Sequence, residues 1–207
     1  MTATTTTNRE TELFETEDHQ NSTSAWSEGL DRLASWRVWT ASALVFFPLA
    51  FLLFASSATF AIPEVEALCG QAPPDMRFYS SGDDVIGFLD ACGPTGRAAY
   101  TKMQLVDVLY PAVVGVFLAS SLALVTRRLS ARNSVHWIAA LPLAAALFDY
   151  VENSFAWLAI LSYPEAIVTS DVLGIASAAK TSTSWVAGLT LVACLVVVGC
   201  RSVRSTS

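Results

Sequence analysis

Three polar side chains interrupt an apolar run in the segment "LFDYVENSF", residues 147–155. Asp149 and Glu152 are three residues apart, so on a helix both carboxyl groups lie on one face, flanked by Asn153 and Tyr150. The surrounding apolar run is long enough to cross a bilayer, where an ionised carboxylate at the centre costs about 2.5–3.5 kcal/mol. Such a pair needs either a proton on one carboxyl group or a partner cation. The segment therefore predicts a polar site inside a membrane domain.

The partner cation that we expect is Lys180, the only lysine in the second half of the chain. At 1.5 Å per residue from Trp137, Asp149 lies about 18 Å and Glu152 about 22 Å into a ~30 Å hydrocarbon core. Counted in the same way from Arg127 and from Cys200, Asp107 and Lys180 lie at the outer edge of that core. The four ionisable groups are thus predicted to share the external half of the bundle, on three different helices.

We predict from this shared depth an outward-facing polar pocket that binds a small cation, a proton-linked solute or a lipid head group. Its predicted members are Asp107, Asp149, Glu152, Asn153, Lys180, Tyr100 and Tyr150. We expect no catalytic residue and no cofactor, and the Cys and His residues lack the spacing of a zinc site.

Two alternatives stay open at this stage. In the first, the protein is a membrane-embedded, lipid-processing enzyme that uses Asp149 and Glu152 as an acid–base pair with separated pKa values. In the second, it is a structural or partner-binding subunit whose buried charges pair with one another and whose external loop makes the contacts.

The composition indicates an all-α membrane protein that forms a four-helix transmembrane bundle. Of the 207 residues, 53% are hydrophobic and only 14% are charged, whereas soluble domains carry roughly 25% charged residues. Four apolar stretches predict the spans, at about residues 38–62, 103–125, 137–161 and 172–200. The first is too long for the core of a signal peptide, and we expect no cleavage there.

The arginines predict the orientation of the bundle. They lie before the first span, between the second and third spans, and after the fourth. Because loops rich in arginine face the cytoplasm, we expect both termini to be cytoplasmic and the protein to lie in the plasma membrane. Residues 1–35 are predicted to be a disordered cytoplasmic tail with a short amphipathic lead-in, and residues 201–207 a second tail, flanking a membrane domain at 36–200. The net charge of −6 and the absence of a basic cluster exclude nucleic acid as a partner. The expected partner is the lipid bilayer.

The external loop, residues 63–102, has a predicted structure of its own. Ser81 and Asp84 have the spacing of a capping box, and the apolar residues after them predict a short helix that ends at Gly93. Cys69 and Cys92 would both face the oxidising side of the membrane, where a disulfide between them is expected. Two buried free thiols are the alternative.

Several of these segments resemble a group of small four-span bacterial membrane proteins without an assigned activity. The resemblance covers about residues 36–200. It is carried by "GRAAY" at the start of the second span, "FDYVEN" in the third and "AAKTSTSW" in the fourth. It implies the four-span layout and gives weight to Asp107, Asp149, Glu152, Asn153 and Lys180, but it implies no reaction.

Overall fold

The computed structural model describes residues 28–29, 32–129, 133–165 and 170–205, and within these ranges every regular element is a helix. Short 3-10 segments occupy Pro74–Met76 and Asn133–Ala140. Of the predicted N-terminal tail, residues 1–35, residues 1–27 and 30–31 lie outside the described residues, whereas 28–29 and 32–33 are helical. From residue 36 onward, the described part of the chain contains the helices α1 (Trp36–Phe54), α2 (Ile62–Cys69), α3 (Gly82–Asp107), α4 (Tyr110–Leu129), α5 (Leu141–Ser162) and α6 (Ser170–Ser205).

Three segments of the described chain are long and apolar enough to cross a membrane. They are Trp36–Phe54, the continuous α3–α4 segment Gly82–Leu129, and Val172–Arg204. Helix α5 is not among them, because its polar residues at 149, 152 and 153 lower its mean hydropathy. The chain is therefore helical with three apolar candidate spans.

The helix bounds differ most from the predicted ones in two places, and in addition α5 begins only at Leu141 and α6 continues to Ser205. Helix α1 ends at Phe54, eight residues before the predicted end, and α2 begins separately at Ile62 with Pro63 in its first turn. The second apolar stretch is the end of a much longer segment, because α3 begins at Gly82 and a break at residues 108–109 separates it from α4.

The backbone of α3 is interrupted at Gly93, where the sequence predicts that the short loop helix ends. The helix begins as its sequence predicts, since Ser81 and Asp84 form a complete capping box. Gly93 has φ 59° and ψ −175°, a non-helical conformation that favours glycine, so Gly82–Asp107 consists of two helices that meet at a kink. Pro94 then stands at the first position of the resumed helix, where its missing N–H costs nothing.

Helices α4, α5 and α6 pack against one another, and α1 packs on α4. Phe46 of α1 stacks on Phe117 of α4 with ring centroids 4.9 Å apart. Gly115 lets α4 approach α5 closely, because a Cβ at this position would lie 3.0 Å from the Cβ of Ala146. The close approach brings the inner faces of these helices together.

A compact cap covers one end of these helices. It consists of α2, the Pro74–Met76 turn and the first half of α3, and a disulfide between Cys69 and Cys92 joins its parts. The cap is fixed to α6 at Gly174, where an added Cβ would lie 2.3 Å from the backbone oxygen of Ser80. We call this end of the bundle the disulfide end, and the opposite end, which carries Arg127, Arg128, Arg201 and Arg204, the arginine end.

Candidate functional site

The ammonium group of Lys180 is the centre of a charged cluster near the disulfide end. It contacts the carboxylate of Glu152, lies 3.5 Å from Oδ1 of Asp149, and donates a hydrogen bond of 3.0 Å to the backbone oxygen of Asp75. The Lys180 side chain is 17% exposed. An ion pair in such a dry environment is weakly screened, so the cluster couples α6 strongly to α5 and to the cap.

The two acids of α5 face the same way, as their three-residue spacing predicts, but their surroundings differ. Glu152 is fully buried and accepts a hydrogen bond from the Ser177 hydroxyl in addition to its contact with Lys180. Asp149 keeps 9% of its surface exposed and has the more distant contact with Lys180. Glu152 therefore has the better-compensated charge of the two.

Asp107 belongs to the same cluster, at the end of α3. Its Oδ2 accepts a hydrogen bond of 2.9 Å from Nδ2 of Asn153, and the negative charges of Asp149 and Asp75 act on it. Tyr150 holds the adjacent break in the helix by donating its hydroxyl to the backbone oxygen of Val108 at 3.0 Å. Among the described residues, no Lys or Arg pairs with Asp107.

Asp75, in the cap, is a member of this cluster that the sequence analysis did not identify. Its side chain is only 5% exposed and accepts hydrogen bonds from the Tyr100 hydroxyl at 3.2 Å and from Nε2 of Gln104 at 3.0 Å. Burial raises the pKa of Asp75 above its ordinary value, although the positive charge of Lys180 acts in the opposite direction. The only signal in the sequence was an acid after two prolines in "APPDM", which fixes a turn but not its position.

A cavity of about 620 Å³ lies beside the cluster, between α1, the end of α3, α4, α5, α6 and the cap. Its polar lining is at one end and its remaining walls are apolar. The polar residues that line it are Asp75, Asp107, Asp149, Lys180, Thr181 and Ser184. This volume and this mixture of walls are typical of a small-molecule site.

Three of the seven predicted pocket residues line this cavity, namely Asp107, Asp149 and Lys180. The other four contact the cluster or its scaffold but are not part of the cavity wall. Glu152 lies behind Lys180, Asn153 orients Asp107, Tyr100 supports Asp75, and the half-exposed Tyr150 contacts the backbone at Val108.

The predicted cysteine pair is joined in the structure, whereas Cys194 and Cys200 are free. No group of three or more His, Cys, Asp or Glu side chains in the described ranges is arranged to hold a metal ion. The chain matches no protein-family model, no curated protein and no solved structure.

Proposed function

We propose that the protein is a four-span membrane protein whose carboxyl cluster binds a cation from the external side of the plasma membrane. A fourth span formed by α5 is supported by the direction of its side chains. Its polar residues face the bundle, whereas Leu147, Leu158 and Leu161 are exposed on its outer surface. Such a helix is stable in lipid despite its acids, because they are turned away from the acyl chains.

The arginines support the proposed orientation. The guanidinium group of Arg127 donates to the backbone oxygen of Ala34 at 3.2 Å, and that of Arg201 donates to the backbone oxygen of Leu129 at 3.2 Å. The basic residues before α1, at the end of α4 and at the end of α6 therefore meet at the arginine end. The positive-inside rule places that end in the cytoplasm, and the disulfide end then lies outside, where disulfides persist.

The balance of charge around the cavity carries the proposal of cation binding. Four carboxyl groups, those of Asp75, Asp107, Asp149 and Glu152, surround one ammonium group, that of Lys180. Lys180 is already engaged by Glu152 and Asp149. A second cation beside Asp107 and Asp149 would offset the remaining negative charge at the polar end of the cavity.

Each residue then has a defined part in binding. Asp107 and Asp149 face the cavity and contact the bound cation through their carboxylate oxygens, and Asn153 holds Asp107 in position. Lys180 balances Glu152 permanently and shares Asp149 with the ligand, so that the acids of α5 are never left together without a positive charge. The cation can be a small ion or an amine head group, since both present positive charge to oxygen ligands.

The enzymatic alternative receives less support from the arrangement of the acids. An acid–base pair requires that Asp149 and Glu152 both reach a substrate, but Glu152 and its partner Ser177 are fully buried behind Lys180 and do not line the cavity. The alternative of a purely structural network is disfavoured by the cavity, because a network that only ties helices together leaves no space for a ligand.

Ligand-dependent thermal stability in a mild detergent tests the proposal, with butylammonium as the cation and butanol as its neutral counterpart. At about 100 times Kd, a bound ligand adds about 2.7 kcal/mol, which raises the Tm of a chain of this size by roughly 5–11 °C. We expect this rise with butylammonium only. It should disappear in Asp149→Asn and persist in Asp83→Asn, where the exposed acid lies outside the cluster. An equal rise in Asp149→Asn would contradict the proposal.

A further inference from the structure

The lining of α6 changes from polar to apolar along a single face of the helix. Lys180, Thr181 and Ser184 line the polar end of the cavity, and Gly188 and Val192 continue the same face at four-residue spacing. From Lys180 to Val192 the lining extends roughly 18 Å along the helix axis. The cavity is therefore elongated, with its charges at one end.

The other walls show the same gradient. On α5 the lining passes from Asp149 to Ala145 and Pro142, and on α4 it passes from Tyr110 to Leu118. The walls formed by α4, α5 and α6 thus become apolar in the direction of the arginine end. A small hydrated ion would use only the polar end of this space, whereas a molecule with a charged head and an apolar tail would use its whole length.

One side of the cavity is formed by residues that also lie on the surface of the protein. Phe54 of α1 and Trp185, Leu189 and Val192 of α6 line the cavity and yet are 43%, 66%, 63% and 57% exposed, respectively. In a bilayer these side chains contact acyl chains. The cavity is therefore accessible from the lipid between α1 and α6, without passage through the cap.

We infer that the ligand is a single-chain cationic amphiphile of the outer leaflet, which reaches the cavity sideways from the bilayer; this rests on the cation binding proposed above. Its ammonium head lies against Asp107 and Asp149, and its chain follows α6 toward Val192. The direction of the cavity matches that of an amphiphile in the outer leaflet, whose head is at the surface and whose tail points inward. An anionic head group is excluded, because it would meet Asp75, Asp107 and Asp149 together.

A substitution that fills the apolar end of the cavity tests binding of the ligand's hydrocarbon tail separately from binding of its ammonium head. Gly188 lines the cavity and a Cβ added there meets nothing within 4 Å, so Gly188→Leu places its side chain in the space of the tail. Gly199→Leu is the matched control on the same helix, since Gly199 also has an open Cβ direction but lies outside the cavity. Binding of radiolabelled dodecylammonium to the protein in phosphatidylcholine nanodiscs is compared with the Tm response to butylammonium.

We expect saturable binding of one dodecylammonium per chain in the wild type and in Gly199→Leu, and a loss of affinity of about tenfold in Gly188→Leu because of steric exclusion. The Tm response to butylammonium should be unchanged in all three proteins, which also reports that Gly188→Leu is folded. Leu189→Trp, at an exposed position of the same wall, should show the same loss if Gly188→Leu does not fold.

Two results have different consequences. If butylammonium stabilises the protein but dodecylammonium binds Gly188→Leu and Leu189→Trp as well as it binds the wild type, the inference that a hydrocarbon tail occupies the cavity is overturned and cation binding stands. If neither ammonium compound binds the wild type, the proposed function itself is overturned.

Discussion

Removal of the Lys180 ammonium group should destabilise the protein strongly. In Lys180→Met the fully buried Glu152 keeps only the Ser177 hydroxyl as a partner, and the backbone oxygen of Asp75 loses its hydrogen bond. Leaving one charge of a buried pair without its partner costs about 3–5 kcal/mol. For a chain of this size that corresponds to a fall in Tm of roughly 6–20 °C.

The measurement is thermal unfolding in detergent, with Lys102→Met as the control because Lys102 is exposed and belongs to no ion pair among the described residues. A second substitution identifies the cause. Since Glu152→Gln removes the charge that Lys180→Met leaves uncompensated, the double variant should be more stable than Lys180→Met alone. The reasoning is refuted if Lys180→Met unfolds at the temperature of Lys102→Met, or if the double variant is no more stable than the single one.

Three further predictions concern the cap. Because the folded-state pKa of Asp75 is raised, the contribution of Asp75 to stability is present below its ordinary pKa of 3.8 and is lost as the pH rises through the raised value. Tm should therefore fall less steeply with rising pH in Asp75→Asn, where the unpaired Oε1 of Gln104 can turn to accept a hydrogen bond from the new amide. A parallel decline of Tm in the two proteins would contradict this, since both contain Lys180, Asp107, Asp149 and Glu152. Reduction of the disulfide, whose cysteines are 23 residues apart, should lower stability by about 3 kcal/mol, to be measured as a lower Tm with dithiothreitol in the wild type but not in Cys69→Ser. Gly174→Ala should cost about 1–3 kcal/mol through its clash with the Ser80 backbone, whereas Gly87→Ala, with open space around it, should not lower Tm.

The sequence predicted three of the four acids of the cluster, Asp107, Asp149 and Glu152, and their cation, because few arrangements were available to it. Asp149 and Glu152 had to turn away from lipid, and the second half of the chain offers one lysine to compensate them. Helical spacing then sufficed to bring them to one side of α5. The 3.5 Å approach of Lys180 to Asp149 follows from this small set of choices.

The path of the cap could not be predicted in the same way. Periodicity reports which face of a helix is apolar, but the residues between α2 and α3 have no period, and the place where Asp75 meets Tyr100 depends on the fold of the whole cap. The interruption at Gly93 was predicted, because its signal is local. Gly93 has a non-helical backbone conformation, and Pro94 stands in the first turn of the helix that follows.

Calorimetric titration of the purified protein with butylammonium tests most directly whether the carboxyl cluster is a cation site. We predict binding of one butylammonium per chain in the wild type and in Asp83→Asn, and no binding in Asp107→Asn, because Asp107 lines the cavity and has no cationic partner among the described residues. The same affinity in Asp107→Asn as in the wild type would contradict the account.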